Sequence, residues 1–282
     1  MRWLPITLTL FMTGLPMSDA RADDIDDALR KVRLALDKHD DTAALKAADE
    51  AVKIAPKSAV AWYLHGESNA RFRKHAEAIK DFDKAYELDK KLVMAINQRG
   101  GERFKLGDIK GSIEDFETYI KAKPEAYDDH WRYGISLYYA GRFADGAKQF
   151  KAGEKAFGND VENVFFHYIC NARIEGEGFE KARKNILKIG PDTRIPMMKI
   201  YDLIQGKATA EEVIDTVGKA KLGAEAKNEA LFYGHLYIGL NFEAEGNAKK
   251  CAEHLAIALE KHKISHYMWD VGNVHLKLLK KK

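Results

Sequence analysis

Cys251 and His254 stand three residues apart, and His262 and His266 four apart. Either separation puts two side chains on one face of a helix, where they could share a metal ion. Neither pair has an evident third ligand in the sequence, so both are read as packing or surface residues and no metal site is expected. Other catalytic signatures are missing: there is no glycine-rich phosphate loop, no HExxH, no GxSxG and no CxxC, and the ten histidines are dispersed. The acidic residues read structurally. Asp23, Asp24, Asp26 and Asp27, like Asp128 and Asp129, sit where helices begin, and negative charge there complements the helix dipole. No enzyme activity and no cofactor are expected. An enzyme using the irregular segment Pro191 to Gly223 as a lid would need acid, base or nucleophile groups clustered around one pocket.

A different chemistry is better supplied. Trp131, Ile135, Tyr138 and Tyr139 follow one another at helical spacing, with Arg142 beyond them. Tyr63 and Arg71, with Glu67 between them, occur earlier in the same register, as do Asn97, Phe104 and Lys105; Arg173, with Phe165 and Ile169, occurs later. Aromatic rings beside guanidinium and ammonium groups can hold a peptide by apolar anchors and charge-assisted hydrogen bonds. Such a face also stacks on sugar rings, so a carbohydrate or cell-wall ligand is the alternative. Plain packing between adjacent helices is the reading without a ligand.

The elements that must carry this row are set by a repeat. Gly66, Gly100 and Gly134 are 34 residues apart, and Phe82, Phe116 and Phe150 follow them in the same register. That period and this pattern of small and aromatic residues are those of the tetratricopeptide helix-turn-helix unit. Helices approach closely where one presents no bulky side chain, and the neighbour's aromatic ring fills the space. Units are expected at about 25–58, 59–92, 93–126 and 127–160, with Gly107 and Gly141 in the turns between helices. A further one, at about 232–263, carries Gly239, Gly246, Cys251 and Ala258.

Between them, 161–222 has lost the period. Helices are expected over Val161 to Ile174, Phe179 to Ile189, Pro196 to Gly206, and from a capping box at Thr209–Glu212 to Ala220. A last helix over 265–279, with Val271, Val274, Leu278 and Leu279 on one face, should shield the final repeat from water. The fold class is all-α: a solenoid of stacked antiparallel hairpins with a C-terminal capping helix, forming one domain over 23–282. In such a stack the first helix of each pair lines the inner face, where the aromatic row falls.

Residues 1–22 read separately as a signal peptide: Arg2, an apolar stretch from Leu4 to Leu15, and Ala20-Arg21-Ala22 as a cleavage site. Export to the periplasm is expected, with Asp23 as the mature N-terminus and no cysteine at the site to take a lipid. Charged residues make up 32% of the chain but the formal net charge is only +3, which gives no basis for a nucleic-acid partner. Cys170 and Cys251 fall in different units of a fold whose contacts are between neighbours, so a disulfide is not expected.

The runs HWRYGISLYYAGRFADGAKQF, VENVFFHYIC, RIPMMKIYDLIQGKATAEEV, FYGHLYIGLNFEAEGN and HYMWDVGNVH, in that order, resemble an exported bacterial tetratricopeptide group related to NlpI-type periplasmic proteins. The resemblance implies a non-enzymatic adaptor for protein partners such as cell-envelope enzymes. It does not carry over a lipid anchor, because the cysteine is absent. The repeats also resemble chaperone-docking tetratricopeptide domains that grip a peptide carboxylate. Tyr63 and Glu67 stand where that family has Lys and Asn, and Glu67 would repel a carboxylate.

Overall fold

The computed structural model describes residues 22–280, and every regular element among them is helical. Helix α1 (Ala22–Asp37) packs against α2 (Asp41–Ile54), α3 (Ala59–Arg71) against α4 (His75–Leu88), α5 (Val93–Leu106) against α6 (Ile109–Ala122), and α7 (Trp131–Tyr139) against α8 (Phe143–Ala152). A short 3-10 turn, Pro124–Ala126, separates α6 from α7. Then α9 (Val161–Ala172) pairs with α10 (Gly178–Lys184), α11 (Met197–Ile204) with α12 (Ala210–Lys219), and α13 (Ala224–Ala244) with α14 (Ala248–Lys261). Helix α15 (Tyr267–Leu279) follows. The signal-peptide reading of 1–22 lies, Ala22 apart, outside the described residues.

The glycine period is a steric one. A Cβ on Gly66 would stand 2.7 Å from the Phe82 ring, one on Gly100 2.9 Å from the Phe116 ring, and one on Gly134 2.7 Å from the Phe150 ring. All three phenylalanines are buried, so each of these three hairpins closes through one ring packed against a bare stretch of backbone. The turns repeat too. Residues His39, Arg73, Gly107 and Gly141, again 34 apart, all have positive φ, at 56°, 58°, 85° and 74°. Glycine suits that backbone at Gly107 and Gly141; His39 and Arg73 adopt it against the preference of a side chain.

First helices touch one another along the stack, α1 with α3, α3 with α5, α7 with α9 and α9 with α13, while successive second helices make no comparable contact. The first helices therefore form the inner wall. Beyond residue 160 the capping box at Thr209 and Glu212 is present, with both reciprocal hydrogen bonds. Two expected boundaries shift. The second helix of the 161–189 hairpin ends at Lys184, because Leu187 and Ile189 turn inward from non-helical backbone. Helix α13 starts at Ala224, ahead of the unit placed at 232–263; it packs on α9, α11, α12 and α14 and is buried nearly all round. Cys170 and Cys251 are both buried in the core.

Candidate functional site

Helix α15 does shield α14, as a cap should, and it also lies along the inner wall of the stack. One face of it is apolar: Met268, Val271 and Val274 are buried in the main core, and Gly272 fits between Leu236 and Leu259. The other face reaches the repeats. Tyr267 stacks on Phe104 with ring centroids 5.6 Å apart and meets Trp131 edge-on at 5.1 Å. Arg73, in the turn after α3, hydrogen-bonds the buried Asp270 carboxylate and lies 4.6 Å from the Trp269 ring centroid. Tyr139 Oη pairs with His275 Nδ1 at 3.0 Å.

Much of the inner row is therefore committed within the molecule. Phe104 is fully buried beneath Tyr267, and Lys105 pairs with Glu102 while lying 5.6 Å from the Tyr267 ring. Asn97 is buried and its Oδ1 lies 2.9 Å from His130 Nε2, while Nδ1 of the same ring accepts the Tyr133 N–H. That ring is neutral with its proton on Nε2, and burial pushes its pKa down to about 4. Asn97 thus supports the start of α7, beside a small cleft of about 160 Å³ that it lines with Tyr119, Asp129 and Arg132. Tyr63 donates to Glu67 at 2.9 Å, and Arg71 pairs with Asp41 at 3.2 Å. Arg142 is not on the inner wall: it caps the turn into α8 and bonds Glu117 and Asp145, each at 2.8 Å.

Tyr138 is buried and donates to Glu243 Oε2 at 2.7 Å; Arg173 donates to Glu243 Oε1 at 3.0 Å and lies over the Phe143 ring. His275 Nε2 is 3.4 Å from the same carboxylate and 3.6 Å from Cys251 Sγ. Burial opposes ionisation of Glu243, but His275, Tyr138 and Arg173 together hold its pKa below the ordinary value. Burial and the Glu243 charge drive the Tyr138 hydroxyl well up. A cleft of about 390 Å³ opens beside this network, between Phe143, Leu278 and Leu279. Tyr138 lines it while only 4% exposed and with its hydroxyl committed to Glu243, which leaves little ring surface for a stacked sugar.

The remaining inner-wall residues, Trp131 and Ile135, meet at a second cleft of about 340 Å³, where α7, α9, α13 and α15 begin. Ile135, Phe150 and Phe166 floor it, Trp131, Tyr233 and Met268 wall it, and Asp160, Glu162, Glu229, Arg194 and His266 stand at its rim. Arg194 donates to Glu162 and Asp160 at 2.9 Å each and to Asp192 at 2.6 Å. Burial raises the Glu162 pKa to about 7, with the neighbouring Asp160 charge adding and Arg194 opposing. The rim was not legible in the sequence. Asp160 caps α9 through its side chain, and Arg194 comes from non-helical backbone that no periodicity marks.

Residues 21–92 and 98–161 match the family model described as tetratricopeptide repeat. Among curated proteins, serine/threonine-protein phosphatase 5 of Homo sapiens and of Rattus norvegicus are each 28% identical over 90 residues. The match takes in 32% of this chain and only 18% of theirs. Among solved structures, a tetratricopeptide repeat protein from Parabacteroides merdae superposes with a TM-score of 0.56 at 14% identity, covering 92% of this chain and 100% of that one. The MamA protein gives 0.51 at 13% identity, covering 72% and 98%. These likenesses concern the fold.

Proposed function

Because this chain is a tetratricopeptide repeat protein, we propose that it is a non-enzymatic scaffold that holds a protein or extended peptide against the inner wall of its stack, in the cell envelope. The observation that carries the reading is the cleft beside Trp131. There Trp131 meets open space over an apolar floor, whereas α15 has covered Phe104 and drawn in Tyr139. Its volume of about 340 Å³ suits one or two side chains of a longer segment, bound as hot spots are, by an aromatic anchor in a partly desolvated pocket.

Affinity capture from an envelope fraction with the mature chain as bait tests it. Trp131→Ala should reduce capture of the partner about tenfold with helical content unchanged, a loss of about 1.4 kcal/mol. Arg142→Ala, on the other side of the α7–α8 turn, should capture as the parent does. The opposite pattern would move the site to the outer surface.

The envelope location rests on the Ala20-Arg21-Ala22 site after a short apolar run, and the adaptor role on the resemblance to NlpI-type proteins. N-terminal sequencing of the exported protein should begin at Asp23; Met1 at its start would overturn the cleavage.

A further inference from the structure

We infer that the cleft beside Trp131 takes a peptide segment in which a cationic side chain sits next to an apolar one, the cation meeting Glu162 and Glu229 and the apolar group entering over Ile135 and Phe166. The inference rests on the scaffold reading above and adds the chemistry of the occupant.

Charge is the first argument. The rim holds the carboxylates of Asp160, Glu162 and Glu229, with Asp192 bonded just behind, and Arg194 is the lysine or arginine that lines the cleft. One guanidinium is thus shared by three carboxylates, Asp160, Glu162 and Asp192, while Glu229 is exposed at the mouth. An anionic segment would meet net repulsion there, and it would find Arg194 already engaged on both terminal nitrogens. A cation meets unspent acceptor capacity. Glu162 receives a hydrogen bond from Arg194, and a second cation beside it would favour its ionised form, which has about four acceptor sites.

The interior favours the same occupant. Glu162 is only 18% exposed in its side chain, so a cation reaching it leaves most of its water behind and must be compensated by the contact itself. Behind it lies the hydroxyl of the fully buried Tyr237, driven well up in pKa by burial and by the Glu162 charge. Next to these polar groups stand the rings of Trp131 and Tyr233. A guanidinium can stack on such a face while its N–H groups reach a carboxylate, which favours arginine over lysine as the cation. The apolar floor then accepts the neighbouring aromatic or aliphatic side chain.

Binding to the full-length mature chain is measured by fluorescence anisotropy with labelled pentapeptides carrying a central Phe-Arg pair, against counterparts with citrulline or Glu in place of Arg. Citrulline keeps the shape and most hydrogen-bonding capacity of arginine but has no charge. The arginine peptide should bind at least about tenfold more tightly than either counterpart. Glu162→Gln should remove most of that preference and leave citrulline binding unchanged. Glu229→Gln, a change on an exposed side chain, should weaken the arginine peptide about threefold and guards against a folding defect in the first variant. Equal binding of arginine and citrulline peptides, an arginine preference untouched by both variants, or no binding of the arginine peptide would each overturn the inference. The scaffold reading would then still be decided separately, by whether Trp131→Ala loses the natural partner.

Discussion

Gly134→Leu should destabilise the protein by about 3 kcal/mol or more, at the upper end of what overpacking costs. Even the first carbon of the new side chain has no room: it would stand 2.2 Å from Gln149 Oε1 and 2.7 Å from the Phe150 ring. The ring cannot retreat. Phe150 is 1% exposed and lies stacked on Phe166 with centroids 5.4 Å apart, so moving it displaces α9 as well. Gly218→Ala makes the contrast, since a Cβ there meets nothing within 4 Å on an exposed stretch of α12. It should be neutral or stabilising by up to about 1 kcal/mol from helix propensity. Urea unfolding of both variants decides; equal midpoints would mean that the repeat is not held by ring-on-glycine contact.

That contact was legible because it is local and repeated. Gly66 and Phe82, Gly100 and Phe116, and Gly134 and Phe150 are each 16 residues apart within one hairpin, so the period of the sequence is the period of the packing. The turn register was only half legible. Gly107 and Gly141 announce a left-handed residue, whereas His39 and Arg73 hold the same backbone in the two preceding units with no glycine to mark it. Arg73 shows what the non-glycine gains, for its side chain is the one that reaches Asp270 and Trp269 on α15. A tie between residues 197 apart leaves no trace in a 34-residue period. The same holds for Phe104 and Tyr139, which meet α15, and for Tyr138, which meets Glu243 on α13, so their partners did not show in the sequence. Trp131 and Ile135 kept their place at an open cleft because α15 begins beside them and runs away towards Tyr139. The rim draws Asp160 from the end of the fourth unit, Glu162 and Arg194 from the segment where the period is lost and Glu229 from the first turns of α13, so its grouping depended on tertiary structure alone.

The occupation of the inner wall by α15 has its own test in Tyr267→Ala, which should cost about 3 kcal/mol, as truncation of a large packed aromatic does. Tyr267 fills the space between Phe104, Trp131 and the bare backbone of Gly101, where its ring passes 3.8 Å from the position a Cβ would take. Its removal leaves a void that α5 and α7 cannot close, because Phe104 is also held edge-on by Tyr139 and the wall is made of whole helices. Were α15 only a cap on α14, Tyr267 would point away from what it shields, and its loss would stay within about 0.5 kcal/mol, as for an ordinary surface change. Val271→Ala separates the two cases, since Val271 is fully buried on the face towards the main core and should cost stability under either. The two variants should also differ in hydrogen exchange. With Tyr267 gone the first turn of α15 loses its hold on α5 and α7, so amides near Met268 should exchange faster than those near Leu276, and faster than in the parent chain. Loosening there would bare Phe104 and the inner edge of Trp131, so Tyr267→Ala should bind an apolar dye that the parent does not. Slow exchange throughout α15 together with an unchanged unfolding midpoint would show that the helix is held by its core face alone, and that the inner wall beneath it contributes no binding energy to it.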